Sequence, residues 1–217
     1  MTMTANLVNW THERKCRTAA ASLEKNGFSA FFFQSAAEAA DYIVAEAEGA
    51  ETVGFGGSMS VTDLQVGPRL LQQGKELLIH GAPGLTFEER VDIMRRQQSC
   101  DLFLSGSNAL TLSGCLVNID AIGNRVGAMF FGPKKVIVVV GRNKLVDGTI
   151  DDAIRRVKNW ASPPNARRLN YKTPCAETGF CNDCDSPERI CRITVVLERK
   201  PKYSDIRVLV VNEDMGL

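Results

Sequence analysis

The chain has 217 residues, with 26 basic side chains against 25 acidic and a net charge of +1. That length suffices for a single α/β domain with a substantial core, and the even charge balance supplies no global field that would favour nucleic acid or an anionic membrane. The longest apolar run, residues 136–140, is far too short for a membrane span, and the first residues lack the apolar segment and cleavage site of a secretory signal, so a cytoplasmic protein is expected.

Residues 7–26 are polar and alanine-rich and stop at Gly27, the pattern of an amphipathic helix, with His12 as a solvated helix residue. Residues 28–33 predict an aromatic strand, and Ser35 caps an alanine-rich helix to about residue 48. A strand over 52–55 then ends in Gly56-Gly57-Ser58-Met59-Ser60. Glycine lets a backbone approach a ligand closely, and the amides that open a following helix are unpaired donors, so this loop is a candidate wall of an anion pocket. An ordinary strand-to-turn corner has the same look. Residues 61–73 predict a helix kinked or split at Gly67-Pro68.

A strand over 76–80 leads to His80 at the start of a turn-rich loop; its near-neutral pKa suits acid–base work, and a histidine bonded to loop backbone is the plainer reading. Thr86 begins a capping arrangement with acidic residues in the first turn of a helix to about Ser99. Residues 101–105 predict a buried strand and 107–111 a polar strand end. A strand over 114–120 carries Asn118 and Asp120, and a short helix opens at 122–126 with Asn124 and Arg125. The strand over 134–140 runs into Arg142-Asn143-Lys144. Polar groups thus recur at successive strand ends, where open α/β sheets bind ligands. Arg125 and Lys144 are candidates for holding a carboxylate or phosphate, with Asp120 as base or hydroxyl anchor and Asn108, Asn118, Asn124 and Asn143 as amide donors or acceptors. The alternative is that Asp120 and Asn124 secure the turn and Arg125 pairs with Asp120.

Residues 151–160 predict a helix stopped by Ser162-Pro163-Pro164. The final β-rich runs, 193–197 and 206–211, read as a hairpin or as two added strands, the second pairing with the core sheet. Between them and the prolines, Cys175, Cys181, Cys184 and Cys191 form the spacing C-x5-C-x2-C-x6-C. Four thiolates so close suit Zn²⁺ or an iron–sulfur cluster, although the spacing matches neither a common zinc ribbon nor a ferredoxin run. Thiol redox chemistry and simple burial are the other readings. Cys16, Cys100 and Cys115 fall inside regular elements as core fillers.

Three blocks carry a family resemblance: GGSMS, LVNID-x2-GNRV-x3-F-x-GPKKVIVVVGRNK, and TPC-x2-TG-x-C-x-DC-x-SP-x-RIC. Together they resemble the short, stand-alone members of the LUD (lactate-utilisation) domain family over nearly the whole chain. The resemblance implies a fold like that of the sugar-phosphate isomerase, CoA-transferase and 5-formyltetrahydrofolate cyclo-ligase group, an open, mainly parallel, Rossmann-like sheet with helices on both faces. One α/β domain over 1–217 is expected, with 162–192 as a Pro/Cys-rich loop insertion. In that group a glycine-serine loop holds a phosphate or other anionic substrate part; the matching residues are Gly56, Gly57, Ser58, Met59 and Ser60. The family further implies a role in oxidising L-lactate to pyruvate beside partner proteins that carry the iron–sulfur clusters. Two functions therefore compete, a small-metabolite site at the carboxyl edge of the sheet and a regulatory or assembly subunit for redox partners. A homo-oligomer is the expected state.

Overall fold

Val136, Val138 and Val140 of strand β7 (Lys135–Gly141) face one side of the main sheet and Ile137 and Val139 the other, and all five are buried. A strand apolar on both faces must be covered on both, which is the mark of a parallel α/β sheet. Each such side chain contributes about 1.5–3 kcal/mol by leaving water. The computed structural model describes residues 2–217. Its main sheet has six strands, all parallel, in the order β1 (Ser29–Phe33), β10 (Ile206–Val211), β7, β4 (Leu102–Gly106), β2 (Thr52–Phe55), β3 (Glu76–Leu78).

One face is packed by α1 (Met3–Lys25) and α6 (Asn124–Phe130), which bring Cys16, Leu23 and Met129 against Phe103 and Val138. The other face is packed by α2 (Ala36–Glu46), α3 (Met59–Asp63) and α4 (Val66–Gln72), with Ile43, Val61 and Leu70 against Leu102, Leu104 and Ile137. The helix starts follow their sequence signals. Ser35 accepts from Glu38 N at 3.3 Å, and Thr86 and Glu89 form a reciprocal capping box at the start of α5 (Phe87–Gln97). At the amino edge of the sheet, Asp101 accepts from the backbone amides of Glu51 and Thr52 and pairs with Lys134 at 2.7 Å. That lysine and the amides hold its carboxyl well below the usual range and lock β2 to β4 in register.

Several elements depart from their sequence signals. The break in the 61–73 segment falls at Gln65, which takes a left-handed φ of 52°, and Gly67-Pro68 then occupies the first turn of α4, where proline's missing amide costs nothing. Strand β3 ends at Leu78, so His80 lies in the turn beyond it. Ser162-Pro163-Pro164 does not stop the preceding helix. Helix α7 (Ile150–Arg156) passes through a π turn, Val157–Ala161, into α8 (Ser162–Arg168), whose first turn contains both prolines. The widened turn lets the chain change its hydrogen-bond ladder just where the prolines bring no donor.

The segment after β4 leaves the main sheet. Strands β5 (Ala109–Thr111), β6 (Leu116–Asp120), β8 (Leu145–Val146) and β9 (Ile193–Leu197) form a second sheet in the order β8-β5-β6-β9. Its core joins Ala109, Val117 and Ile119 to Ala153, Val157 and Ala161 of the α7 segment. The last two strands are therefore no hairpin: β9 joins this second sheet antiparallel to β6, while β10 enters the main sheet between β1 and β7.

Candidate functional site

From β2 the chain runs outward to the edge strand β3 and returns through α5 to β4 on the other side of β2. The loops leaving the carboxyl ends of β2 and β4 consequently diverge, and a crevice opens between them, the usual ligand position in an open α/β sheet. Here the crevice is a cleft of about 530 Å³. Gly56 to Met59 form one wall and Gly106 to Asn108 another, while Asp120, Asn124 and Arg125 reach in from the second sheet and α6. Lys144, the π turn and α8 close it from the far side. A π turn at a cleft is a frequent marker of function.

Gly106 has no room for a side chain: a Cβ there would overlap Ser58 Oγ and stand 3.3 Å from the Val139 carbonyl. The close approach brings the two loops together. Gly57 takes a φ of 73°, which turns the β2 loop under His80. Ser58 occupies the cap position of α3 but makes no capping bond, so its hydroxyl is uncommitted at the cleft wall.

Lys144 is 4 % exposed, reaches the cleft from the 3-10 turn Arg142–Lys144, and donates from Nζ to Ser60 Oγ at 2.7 Å. Burial pushes its pKa down to about 7, with the Arg156 and Arg125 guanidiniums adding to the effect and Asp63 opposing it. Ammonium groups this deeply buried ordinarily meet a carboxylate. This one meets a hydroxyl.

Arg125 is used by the protein itself. Nη1 donates to Gly106 O at 3.2 Å and Asn118 Oδ1 at 2.8 Å, and Nη2 to Asn108 Oδ1 at 3.0 Å and Ile119 O at 3.1 Å. Burial lowers its pKa, and Asp120, 3.8 Å from Nε, opposes that. Four Nη protons are thus shared among the β4 loop, Asn108 and β6, and the guanidinium ties the second sheet to the main one. Asp120 accepts from Ala121 N at 2.9 Å and Val126 N at 3.2 Å, securing the turn into α6. Asn118 is buried and bonded to Asn108 N, Arg125 and Ser107. Asn143 binds Met215 N and Gly216 O. Ser60 lies beneath Lys144 and donates to Met215 O.

Of the residues singled out in the sequence, Gly56, Gly57, Ser58, Asn108, Asp120, Asn124, Arg125 and Lys144 line one cleft. Ser60, Asn118 and Asn143 support it from behind. Asn124 leaves a buried Nδ2 without a hydrogen-bond partner. His80 also lines the cleft, and its Nδ1 lies 3.1 Å from Gln97 Nε2. Gln97 Nε2 gives its two protons to the Phe55 carbonyl at 2.9 Å and the Leu78 carbonyl at 2.8 Å, which fixes the amide beside the ring. Burial holds His80 below its ordinary pKa; Gln97 and Asp120 act the other way, and Arg90 adds to the lowering.

Arg90 and Arg168 complete the basic lining and were not legible as site residues, because each sits on an exposed helix face of ordinary charged pattern. Arg168 donates to Asn165 Oδ1, at 2.8 Å from Nη2, and neither arginine makes an ion pair among the described residues.

Cys175, Cys181, Cys184 and Cys191 line a second, small cavity of about 20 Å³ beside the cleft. All are free thiols, and among the described residues no group of three His, Cys, Asp or Glu side chains is assembled as a metal site. Burial raises the Cys191 pKa, and the hydrogen bond to Ser162 opposes it.

The family model described as the LUD domain matches residues 16–211. Among curated proteins none matches. The crystal structure of a DUF162 family protein from Deinococcus radiodurans at 1.70 Å resolution is similar in fold, with a TM-score of 0.53 and 16 % identity over 92 % of this chain and 98 % of that one.

Proposed function

We propose that this chain, which belongs to the LUD domain family, binds a small metabolite bearing a carboxylate or phosphate in the cleft between β2 and β4. The family implies a lactate-utilisation-associated role, and the finer reading is support of L-lactate oxidation to pyruvate, with the electrons passing to iron–sulfur partner proteins.

The observation that carries the reading is the Lys144 ammonium, buried at the cleft with a serine hydroxyl and no carboxylate as its partner. An incoming anion supplies the missing counter-charge in a low-dielectric site, where such a contact is strong. Arg90 and Arg168 add attraction at the mouth, and the Ser58 hydroxyl and the orphan Asn124 Nδ2 are donors for its oxygens. Asp120 and Arg125 hold the cleft's shape as positioning residues, because their polar atoms already serve the α6 turn and the sheet junction. Proton transfer falls to His80, whose Nε2 faces the glycine loop while the Gln97 amide lies against Nδ1.

Thermal shift and calorimetry with lactate, pyruvate and inorganic phosphate test the proposal. At least one of them should stabilise the wild-type chain, and Lys144→Met should weaken that binding roughly 10–100-fold, the value of one hydrogen bond to a charged group. Failure of all three, or unchanged affinity in Lys144→Met, would overturn it.

A further inference from the structure

The segment from Leu169 to Arg192 is held by little regular structure. Its one regular element is α9 (Pro174–Thr178), five residues long, yet the segment gives Tyr171, Ile190 and Cys191 to the cleft wall. Something other than a helix or a sheet ladder must fix it.

Four cysteines of this region line one small cavity. Cys175 comes from α9, Cys181 and Cys184 from the loop beyond it, and Cys191 from the approach to β9, and all four line the same 20 Å³ cavity. Asp183, between the middle pair, takes a left-handed φ of 48°, unusual for a non-glycine residue, and this tight turn lets two cysteines three apart face one space. Arg189 clamps the arrangement by donating to the carbonyls of Cys184 at 2.7 Å and Cys191 at 2.8 Å and to Asp183 Oδ1 at 2.7 Å. Its positive charge lies against the thiols. Thr173 Oγ1 lies 3.3 Å from the Cys175 sulfur, and the Cys191 thiol donates to Ser162 Oγ at 3.3 Å.

We propose that Cys175, Cys181, Cys184 and Cys191 bind one soft divalent cation of the zinc class as a tetrathiolate, and that this ion fixes the wall shared by its site and the anion cleft. Four thiols lose their protons to solvent, and four sulfur–metal bonds of roughly 2.3 Å replace them with no change of oxidation state. Ligand softness selects the ion. The space suits a single ion, since a cluster would need further room for its inorganic sulfides. Among the described residues no three of these side chains are assembled as a ligand set, so ion binding is coupled to local ordering of the segment. Ser162, Ile190 and Cys191 line both cavities, which makes the loaded site part of the cleft wall.

The test is metal analysis of the full chain purified without oxygen, followed by cobalt exchange. One zinc or exchanged cobalt per chain, with the absorption of a tetrahedral tetrathiolate, is expected. Cys181→Ser should lower cobalt affinity by more than about 100-fold, because even an outer-shell partner is worth ~10–100-fold. Circular dichroism of the variant checks its fold, and the wild-type stoichiometry stands without it. Hydrogen exchange over residues 186–192 should slow on cobalt addition to the metal-free chain. Absence of metal uptake, iron with acid-labile sulfide, or a disulfide in the anaerobic protein would overturn the site; unchanged exchange would overturn the shared wall. None of these readouts depends on an anion in the cleft.

Discussion

Lys144 Nζ lies 2.7 Å from Ser60 Oγ, and Ser60 passes its own proton to the Met215 carbonyl at 3.2 Å. A serine in the first turn of α3 and a lysine beyond β7, 84 positions apart, thereby join across the carboxyl edge of the sheet. The serine uses its donor on the backbone and offers only its lone pair to the lysine. The pair is therefore a charge with one neutral acceptor, and the rest of the ammonium's hydrogen-bonding capacity is available to a ligand.

The pH dependence of stability follows from this pair. The Lys144 pKa falls from 10.5 to about 7 on folding, so between those values the unfolded chain binds more protons than the native one. Stability contributed by this group rises with pH through that window and is least below about 7, where the native state must bury the charge. Lys144→Met should be the more stable protein, by the widest margin below pH 7, with the gap closing toward pH 10. Melting temperatures of both proteins across that range decide it, and a constant gap would refute the shifted lysine.

Anion binding should show the complementary dependence. A bound carboxylate or phosphate favours the charged lysine, so binding near pH 8 takes up a proton and affinity falls as pH rises above about 7. Calorimetry of the best ligand in buffers of different ionisation enthalpy measures the uptake directly. Zero uptake at pH 8 would detach Lys144 from the ligand.

Arg125 should behave as a structural lock. Removing it takes a donor from Gly106 O, Ile119 O and two asparagine oxygens at the sheet junction, the asparagine oxygens keeping only the backbone amides of Asn108 and Ile119. Arg125→Ala should cost roughly 3–5 kcal/mol in urea denaturation, the scale of breaking a buried charged contact from one side. Arg125→Lys cannot reproduce the four-way fork and should recover little. Wild-type stability in either variant would return the guanidinium to the ligand.

The parallel sheet was legible because its strands are short apolar runs divided by helices with explicit caps, as at Ser35 and Thr86. The cleft was legible at Gly56 to Ser58 and Lys144 because those residue types sit at strand ends. What escaped depended on distance across the fold. Asn118 and Arg125 look like ligand groups in sequence, and only the arrival of Gly106 and Asn108 beside them reveals that their polar atoms are taken. Arg90 and Arg168 look like solvated helix charges until the crevice places them at one mouth. The prolines at 163 and 164 carry an ordinary stop signal, and only the π turn before them changes its meaning.

His80 should titrate below 6.5 because burial disfavours its charged form. A histidine neutral in the folded state contributes stability above the unfolded pKa that is lost as pH falls below 6.5 toward the folded value. The chain has two histidines, so removing His12 assigns the remaining ring signal in an NMR titration. Gln97→Glu replaces the amide beside Nδ1 by a carboxylate and should move the midpoint upward. A midpoint at or above 6.5 in the wild type, or no upward movement in the variant, would remove His80 from the proton-transfer role.

Gly106 offers a test of how closely the two loops must meet. An alanine there would overlap Ser58 Oγ, which can rotate away, and would press the Val139 carbonyl at 3.3 Å, which cannot. If the serine is the main obstacle, Gly106→Ala should cost about 1–3 kcal/mol in the wild-type background, the usual penalty of overpacking, and much less in a Ser58→Gly background. Denaturation of the two single variants and the double variant yields that coupling. Ligand affinity should separate from stability: the double variant regains its fold but keeps the loss of the Ser58 donor, roughly 10-fold if one hydrogen bond to the anion is removed. Equal cost in both backgrounds would mean that the Val139 backbone sets the limit, and that Gly106 is required for sheet packing rather than for access of the serine hydroxyl to the cleft.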